Sequence, residues 1–233
     1  MKYTRIALFS LLLLATMLAC SAASGLAATP TPVPTFTPVP TSTPVPSPTP
    51  DPVLFEDSEF TNSCNADSTT EVERFVENEQ FHMIIKTSKY IGWTECTKVE
   101  FSDVIIEADA AQVEGPSNNI FGVIFRYGLE DDEFYVCAVS GDGYYVLTID
   151  GIEHTEPEIL VDWTESSVVN KSPQTNRLKV VAVGGSIEYY VNDQLLGEIQ
   201  NDRLTTGTVG FFAGSNEEGG VHVSFDNLKI YEP

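Results

Sequence analysis

The sequence predicts an all-β fold, a sandwich or barrel of antiparallel strands, on three observations. Short runs rich in Val, Ile, Phe and Tyr recur from Leu54 to Tyr231. Gly, Asp and Asn clusters punctuate nearly all of them. No stretch repeats its apolar residues at the three-and-four spacing of a convincing amphipathic helix. β-Branched and aromatic side chains suit a pleated surface, and Gly, Asn and Asp supply the positive-φ positions of tight hairpins.

The middle of the chain carries the clearest pattern. Ile120–Tyr127, Glu133–Val139 and Tyr144–Asp150 are three apolar runs joined by Gly128–Asp132 and by Ser140-Gly141-Asp142-Gly143. They read as an antiparallel meander. Before it come Leu54–Phe60, Val72–Val76, Gln80–Thr87, Lys98–Phe101 and Val104–Val113. After it come Glu158–Val161, Arg177–Val183, Ile187–Val191, Gln194–Ile199, Thr208–Phe212 and Val221–Tyr231. Asn192-Asp193 centres a hairpin, because both residue types tolerate left-handed backbone. In the last run Val221, Val223 and Phe225 share one parity and Leu228 and Ile230 the other. Such a slip predicts a β-bulge at Asp226-Asn227.

The first 52 residues are of another kind. Lys2 and Arg5 precede an apolar run, Ile6–Leu18, which is too short to span a bilayer comfortably and reads as an export signal. Met17-Leu18-Ala19-Cys20 resembles the lipobox of bacterial lipoproteins, which implies lipidation at Cys20. Ordinary signal cleavage near Ala27 or Ala28 is the alternative. Thr29–Pro52 then holds ten prolines in 24 residues. Proline fixes φ and removes the backbone donor. The segment therefore predicts a polyproline II spacer, roughly 3.1 Å per residue and about 75 Å long. The expected organisation is a lipoprotein signal at 1–19, a lipidated Cys plus linker at 20–52, and one domain at 53–233. The expected place is the extracytoplasmic face of the cell membrane, held by the N-terminal lipid.

Charge narrows the partners. The chain carries a net charge of −22 and a pI near 4.2, and only Lys2, Arg5 and Asp51 are charged before Val53. A surface so acidic repels phosphate backbones, which excludes nucleic acid as a partner. It suits solubility outside a cell, neutral glycans or a bound cation. The chain is expected to be a monomer.

Several segments together resemble a known superfamily. FSDVIIEADA, FGVIFRY, FYVCAVSGDGYYVL, YYVNDQLLGE at Tyr189–Glu198 and FDNLKIY at Phe225–Tyr231 look like the concanavalin A-like jelly roll. The stretch is similar to laminin G-like domains and to 3-keto-disaccharide hydrolase-like domains. The resemblance runs from about Leu54 to Tyr231. It implies two antiparallel sheets packed as a jelly-roll sandwich. It leaves the function open, since the superfamily includes lectins, glycosidases and adhesion modules.

Candidate site residues follow. Cys64 and Cys96 lie in polar stretches and are expected to form a disulfide, whereas Cys137 sits in an apolar strand as a buried thiol. Three free thiols are the alternative. Arg126 matches an arginine-bearing strand of the hydrolase-like resemblance. By strand parity it faces away from Phe125, with Tyr135 and Tyr145 flanking it, and the three are the expected ligand-binding residues. Trp93 and Trp163 either rim a groove or cap the core. The resemblance also implies structural Ca²⁺ between first and last strands, at Asp57 and Asp226. Glu107-Ala108-Asp109 matches the first pair of the E-x-D-x-x-E motif of family 16 glycoside hydrolases. The third acid falls only at Glu114 and the motif's Trp is missing, so no catalytic residue is assigned. The resulting expectation is a non-catalytic module for glycans or for wall or matrix polymers. The alternatives are an oligosaccharide hydrolase and a protein-binding adhesion module.

Overall fold

A computed structural model describes residues 52–61, 63–128, 132–151 and 156–233. The export signal, Cys20 and nearly all of the proline-rich segment lie outside these residues.

Among the described residues the chain forms fourteen strands. They are β1 (Val53–Asp57), β2 (Val72–Glu77), β3 (Gln80–Ile85), β4 (Ile91–Glu95), β5 (Val104–Glu114), β6 (Asn119–Gly128) and β7 (Glu133–Val139). The rest are β8 (Tyr144–Gly151), β9 (Glu158–Glu165), β10 (Asn176–Val183), β11 (Ser186–Val191), β12 (Gln194–Gln200), β13 (Thr208–Ser215) and β14 (Val221–Tyr231). One sheet has eight strands, ordered β12-β11-β10-β5-β14-β3-β2, with β1 also on β14; the other has six, ordered β4-β13-β6-β7-β8-β9. All pairings are antiparallel, and the two sheets pack as a sandwich, as the resemblance implies.

Alternation builds the core between them. Ile106, Ala108 and Ala110 of β5 and Leu178, Val180 and Ala182 of β10 face inward from one sheet. Phe121, Val123 and Phe125 of β6, with Tyr135, Cys137 and Val139 of β7, face inward from the other. Phe211 and Phe225 stack across the gap, with ring centroids 4.2 Å apart and planes 10° from parallel. The slip in β14 is present: its register against β5 shifts between Asp226 and Lys229, with Asn227 at φ 53°. The β11–β12 hairpin turns on Asn192 and Asp193, at φ 50° and 65°.

One expected strand is absent and one unexpected strand is present. Lys98–Phe101 alternates polar and apolar residues, yet Val99 is 64% exposed and only Phe101 makes an isolated bridge, to Gly207. The edge position belongs instead to β4, whose Ile-Gly-Trp-Thr-Glu is short and broken by a glycine. Its partner explains the glycines. A Cβ at Gly210 would lie 1.9 Å from the Thr94 carbonyl oxygen, so β4 and β13 approach too closely for any side chain there.

The expected disulfide joins Cys64 and Cys96. Cys137 is the buried free thiol, and burial pushes its pKa well up, away from the reactive thiolate.

Candidate ligand-binding cleft

The outer face of the six-stranded sheet is unusually apolar. Ile124, Phe134, Val136, Ala138, Val146 and Phe212 form a second cluster there, separate from the main core, with Trp93 and Ile120 packed on it. Over this cluster, reaching from the start of β4 and β13 across β6 to β8 and β9, lies a cleft of ≈ 390 Å³. Its walls include Ile91, Ile120, Val146, Ile159, Trp163 and Phe212, with Thr148, Asp150 and Lys89 among its polar groups. A second cleft, ≈ 270 Å³, adjoins it and is lined by Asn118, Asn119, Ser140, Asp142 and Tyr144. Trp163 and Asn216 line both.

Bulges in β9 create this arrangement. Tyr145 pairs with Thr164 and Leu147 with Val161, so Asp162 and Trp163 together oppose Val146 alone. A second shift leaves Leu160 as the extra residue between Val161 and Ile159. Leu160 and Val161 therefore both pack on the main core, while Ile159 and Trp163 both line the cleft. The Trp163 residue is 42% exposed. Bulges commonly re-aim side chains beside sites in this way.

The polar cleft is held by hydrogen bonds. The Gly141 N–H donates to Asn119 Oδ1 at 2.9 Å, and Asn119 Nδ2 donates to the Pro116 carbonyl at 2.7 Å. These tie the β7–β8 turn to the start of β6. Ser140 Oγ accepts the Tyr144 N–H at 3.0 Å, which fixes the entry to β8. Asn216 Nδ2 donates to Asn118 Oδ1 at 2.8 Å across the opening. Amide and hydroxyl groups thus converge beside one exposed indole.

The expected ligand residues lie elsewhere. Arg126 has φ 52°, in a bulge where the β6–β7 register shifts between Phe125 and Gly128. That kink cancels the alternation on which its outward direction rested. Its side chain is 1% exposed and donates from Nε and Nη2 to the Ser102 carbonyl, at 3.2 and 2.9 Å, and from Nη1 to the Leu204 carbonyl, at 3.0 Å. Burial lowers its pKa from the usual arginine value, partly offset by Tyr135 and Asp103. Tyr135 is buried close by, its hydroxyl donating to Asn201 Oδ1 at 2.6 Å and accepting the Leu204 N–H at 3.3 Å. Tyr145 faces the main core, and its neighbour Tyr144 takes the cleft position. Arg126 and Tyr135 come together as a structural pair; Tyr145 does not join them. Trp93 packs 5.4 Å from the Phe134 ring, while Trp163 rims the cleft.

The expected Ca²⁺ ligands are engaged locally. Asp57 Oδ1 accepts the N–H groups of Glu59 and Phe60, at 2.9 and 2.7 Å. Asp226 accepts the Asn227 N–H at 2.7 Å and Gln80 Nε2 at 3.2 Å. Among the described residues no group of three or more His, Cys, Asp or Glu gathers as metal ligands. These are two carboxylates of the six to eight oxygens that such an ion takes. On the outer face of the eight-stranded sheet, Glu107 is bound by Arg177 at 2.6 Å and Lys179 at 3.6 Å, and Asp109 accepts Asn227 Nδ2 at 2.9 Å. A carboxylate neutralised by two cations is poorly suited to act as a nucleophile.

The same outer face carries a titratable pair. His82 Nδ1 and His222 Nε2 are 3.0 Å apart, and Phe75 stacks on His82 at 4.9 Å. His82 Nε2 lies 3.3 Å from the Glu77 carbonyl, so the proton sits on Nε2 and Nδ1 accepts from His222. Burial, then His82, lowers the His222 pKa, against the opposing pull of Glu114, Glu77 and Glu73. Between that lowered value and the ordinary 6.5 the unfolded chain binds the extra proton. Stability from this group is present above pH 6.5 and is lost as pH falls through the folded-state pKa. Melting temperature is expected to drop more steeply below pH 6.5 in the native chain than in His222→Gln. Parallel profiles of the two from pH 7.5 to 5 would remove His222 from the account.

No family's sequence profile matches this chain. A TPR repeat-containing protein of Treponema pallidum (strain Nichols) is 31% identical over 105 residues, which are 45% of this chain but only 12% of that protein. Among solved structures, the carbohydrate binding module CBM66 from Bacillus subtilis superposes with a TM-score of 0.58 at 13% identity, covering 73% of this chain and 96% of that one. A GlcNAcα1-4Gal-releasing endo-β-galactosidase from Clostridium perfringens gives 0.56 at 10% identity, over 78% of this chain and 63% of that one. The catalytic domain of an endo-1,3-β-glucanase (laminarinase) from Thermotoga petrophila RKU-1 gives 0.54 at 12%, over 78% and 98%. These likenesses define a sandwich of the jelly-roll, galectin-like class.

Proposed function

We propose that this domain is a non-catalytic glycan-binding module, displayed outside the cell on a lipid-anchored, proline-rich stalk. The observation that carries the binding reading is the half-exposed Trp163, set by a β-bulge between an amide- and hydroxyl-lined cleft and an apolar one. An aromatic face covers the C–H side of a sugar ring, and a few placed polar groups read its hydroxyls. The carbohydrate binding module among the structural relatives supports the same reading by fold. Hydrolysis is the second reading, supported by the two glycosidase relatives. Against it stands the paired state of Glu107, the sequence's best candidate acid.

A glycan array probed with the chain from Pro52 to Pro233 tests the module. Trp163→Ala is expected to weaken the retained glycan at least about tenfold, as loss of a central aromatic contact does. Its melting temperature should stay nearly unchanged, because the ring is half-exposed. A variant that binds like the native domain would sink the cleft assignment, and release of new reducing ends would favour hydrolysis. Anchoring is tested separately. Cys20→Ala should leave the detergent phase on fractionation, since two or more acyl chains are what hold such a protein stably. Persistent partitioning of that variant would mean another anchor.

A further inference from the structure

The two clefts have opposite chemistry and share Trp163 and Asn216. On one side Asn118, Asp142 and Tyr144 offer donors and acceptors. On the other, Ile91, Ile120, Val146, Ile159 and Phe212 make an apolar trough of ≈ 390 Å³, the larger of the two. Gly214 lies between the first two of these, where a Cβ would come within 2.7 Å of Ile120 Cγ2 and 3.0 Å of Ile91 Cγ2. Ile120 and Ile91 therefore close over Gly214 without a gap, while Thr148 and Ser215 are among the trough's polar groups.

An unsubstituted sugar carries a hydroxyl on nearly every ring carbon. Against the Ile91, Ile120, Val146, Ile159 and Phe212 wall those hydroxyls would lose water and find no partner there. An alkyl chain in the polar cleft would bury amide groups and gain nothing. One ligand satisfies both sides when a polyol is joined to an apolar group. Charge adds a further condition. Asp142 lines the polar side and Glu156 the apolar side, in a chain of net charge −22. Anionic headgroups are repelled there.

We infer that the cleft takes a neutral glycoside bearing an apolar aglycone, with the sugar beside Asn118 and Tyr144 and the alkyl or aryl group in the Ile120–Ile159 trough. This rests on the glycan-binding reading above and specifies its ligand. Trp163 is the shared wall, contacting the junction between the two halves.

The test uses the chain from Pro52 to Pro233, which contains all fourteen strands and both apolar clusters. Its tryptophan fluorescence and binding heat are followed with n-octyl glycosides of glucose, galactose and maltose below their micelle-forming concentrations. The methyl glycosides and 1-octanol are run alongside. At least one octyl glycoside is expected to bind about tenfold or more tightly than both its methyl counterpart and octanol, since each buried methylene adds to affinity. Ile159→Ser, at a position already 46% exposed, should weaken the octyl glycoside and leave the methyl glycoside unchanged. Asn118→Ala should weaken both. Equal binding of octyl and methyl glycosides overturns the inference while leaving a glycan site in place. Equal binding of octyl glycoside and octanol overturns it by removing the sugar from the site. Failure of every glycoside, together with an empty glycan array, brings down the binding reading itself.

Discussion

Arg126→Ala is expected to cost about 3–5 kcal/mol of folding stability, the range for stripping a buried, multiply bonded charged group. The guanidinium donates three hydrogen bonds to two carbonyls, those of Ser102 and Leu204, from a position that is 1% exposed. Both carbonyls belong to connections that close one end of the sandwich, the first ahead of β5 and the second ahead of β13. Alanine leaves them without their donors and leaves a void where the largest fully buried side chain stood. In a domain of this size the melting temperature should fall by on the order of 10 °C. Arg126→Lys should recover only part of the loss, because one ammonium cannot reproduce the planar fork that spans two carbonyls. Arg126→Met should restore packing without the donors. Urea unfolding of the three variants separates these contributions. A loss under about 1 kcal/mol for alanine would show that the end loops close without the arginine.

That arginine also marks where sequence reading stops. Alternation within each run located the sheets, because inward and outward residues differ in chemistry along β5, β10 and β14. The phase slip in β14 was legible for the same reason: Phe225 and Leu228 are both apolar and both inward. In β6 the bulge falls at Arg126, in a stretch apolar on both faces, so no change of phase appears in the composition. Strand parity then assigned Arg126 to the wrong surface. Tyr144 and Tyr145 pose a similar problem. The pair is chemically symmetric, and only the pairing of Tyr145 with Val139 decides which ring enters the core. Trp163 lay beyond the expected end of its strand because Asp162 interrupts the apolar run. Ladder pairing with β8 carries β9 past that acid to Glu165. The candidate cleft depends on these bulges, and nothing local in the sequence encodes two of them in eight residues.

Removing the Cys64–Cys96 disulfide is expected to lower stability by roughly 3–4 kcal/mol in the chain-entropy account of a loop of this length. The bond spans 32 residues, including β2, β3 and all of β4. It also fastens the connection after β1 against an edge strand. The Asn65 N–H donates to the Glu95 carbonyl at 3.1 Å, and Thr94 Oγ1 donates to the Asn65 carbonyl at 2.8 Å. Phe60 on that connection inserts into the core, 5.9 Å from Phe211 and 6.2 Å from Phe81. Cleaving the bond therefore loosens β4 as well as the loop. Ile91, the first residue of β4, is a wall of the apolar cleft, so reduction should weaken ligand as well as stability. Urea unfolding with and without reductant measures the first effect, and titration of an octyl glycoside under both conditions measures the second. Cys64→Ser with Cys96→Ser should match the reduced native chain, since Cys137 is buried and its thiol stays protonated. A cross-link to Cys137 in non-reducing peptide maps, or a loss under about 1 kcal/mol, would remove the disulfide from the support of β4.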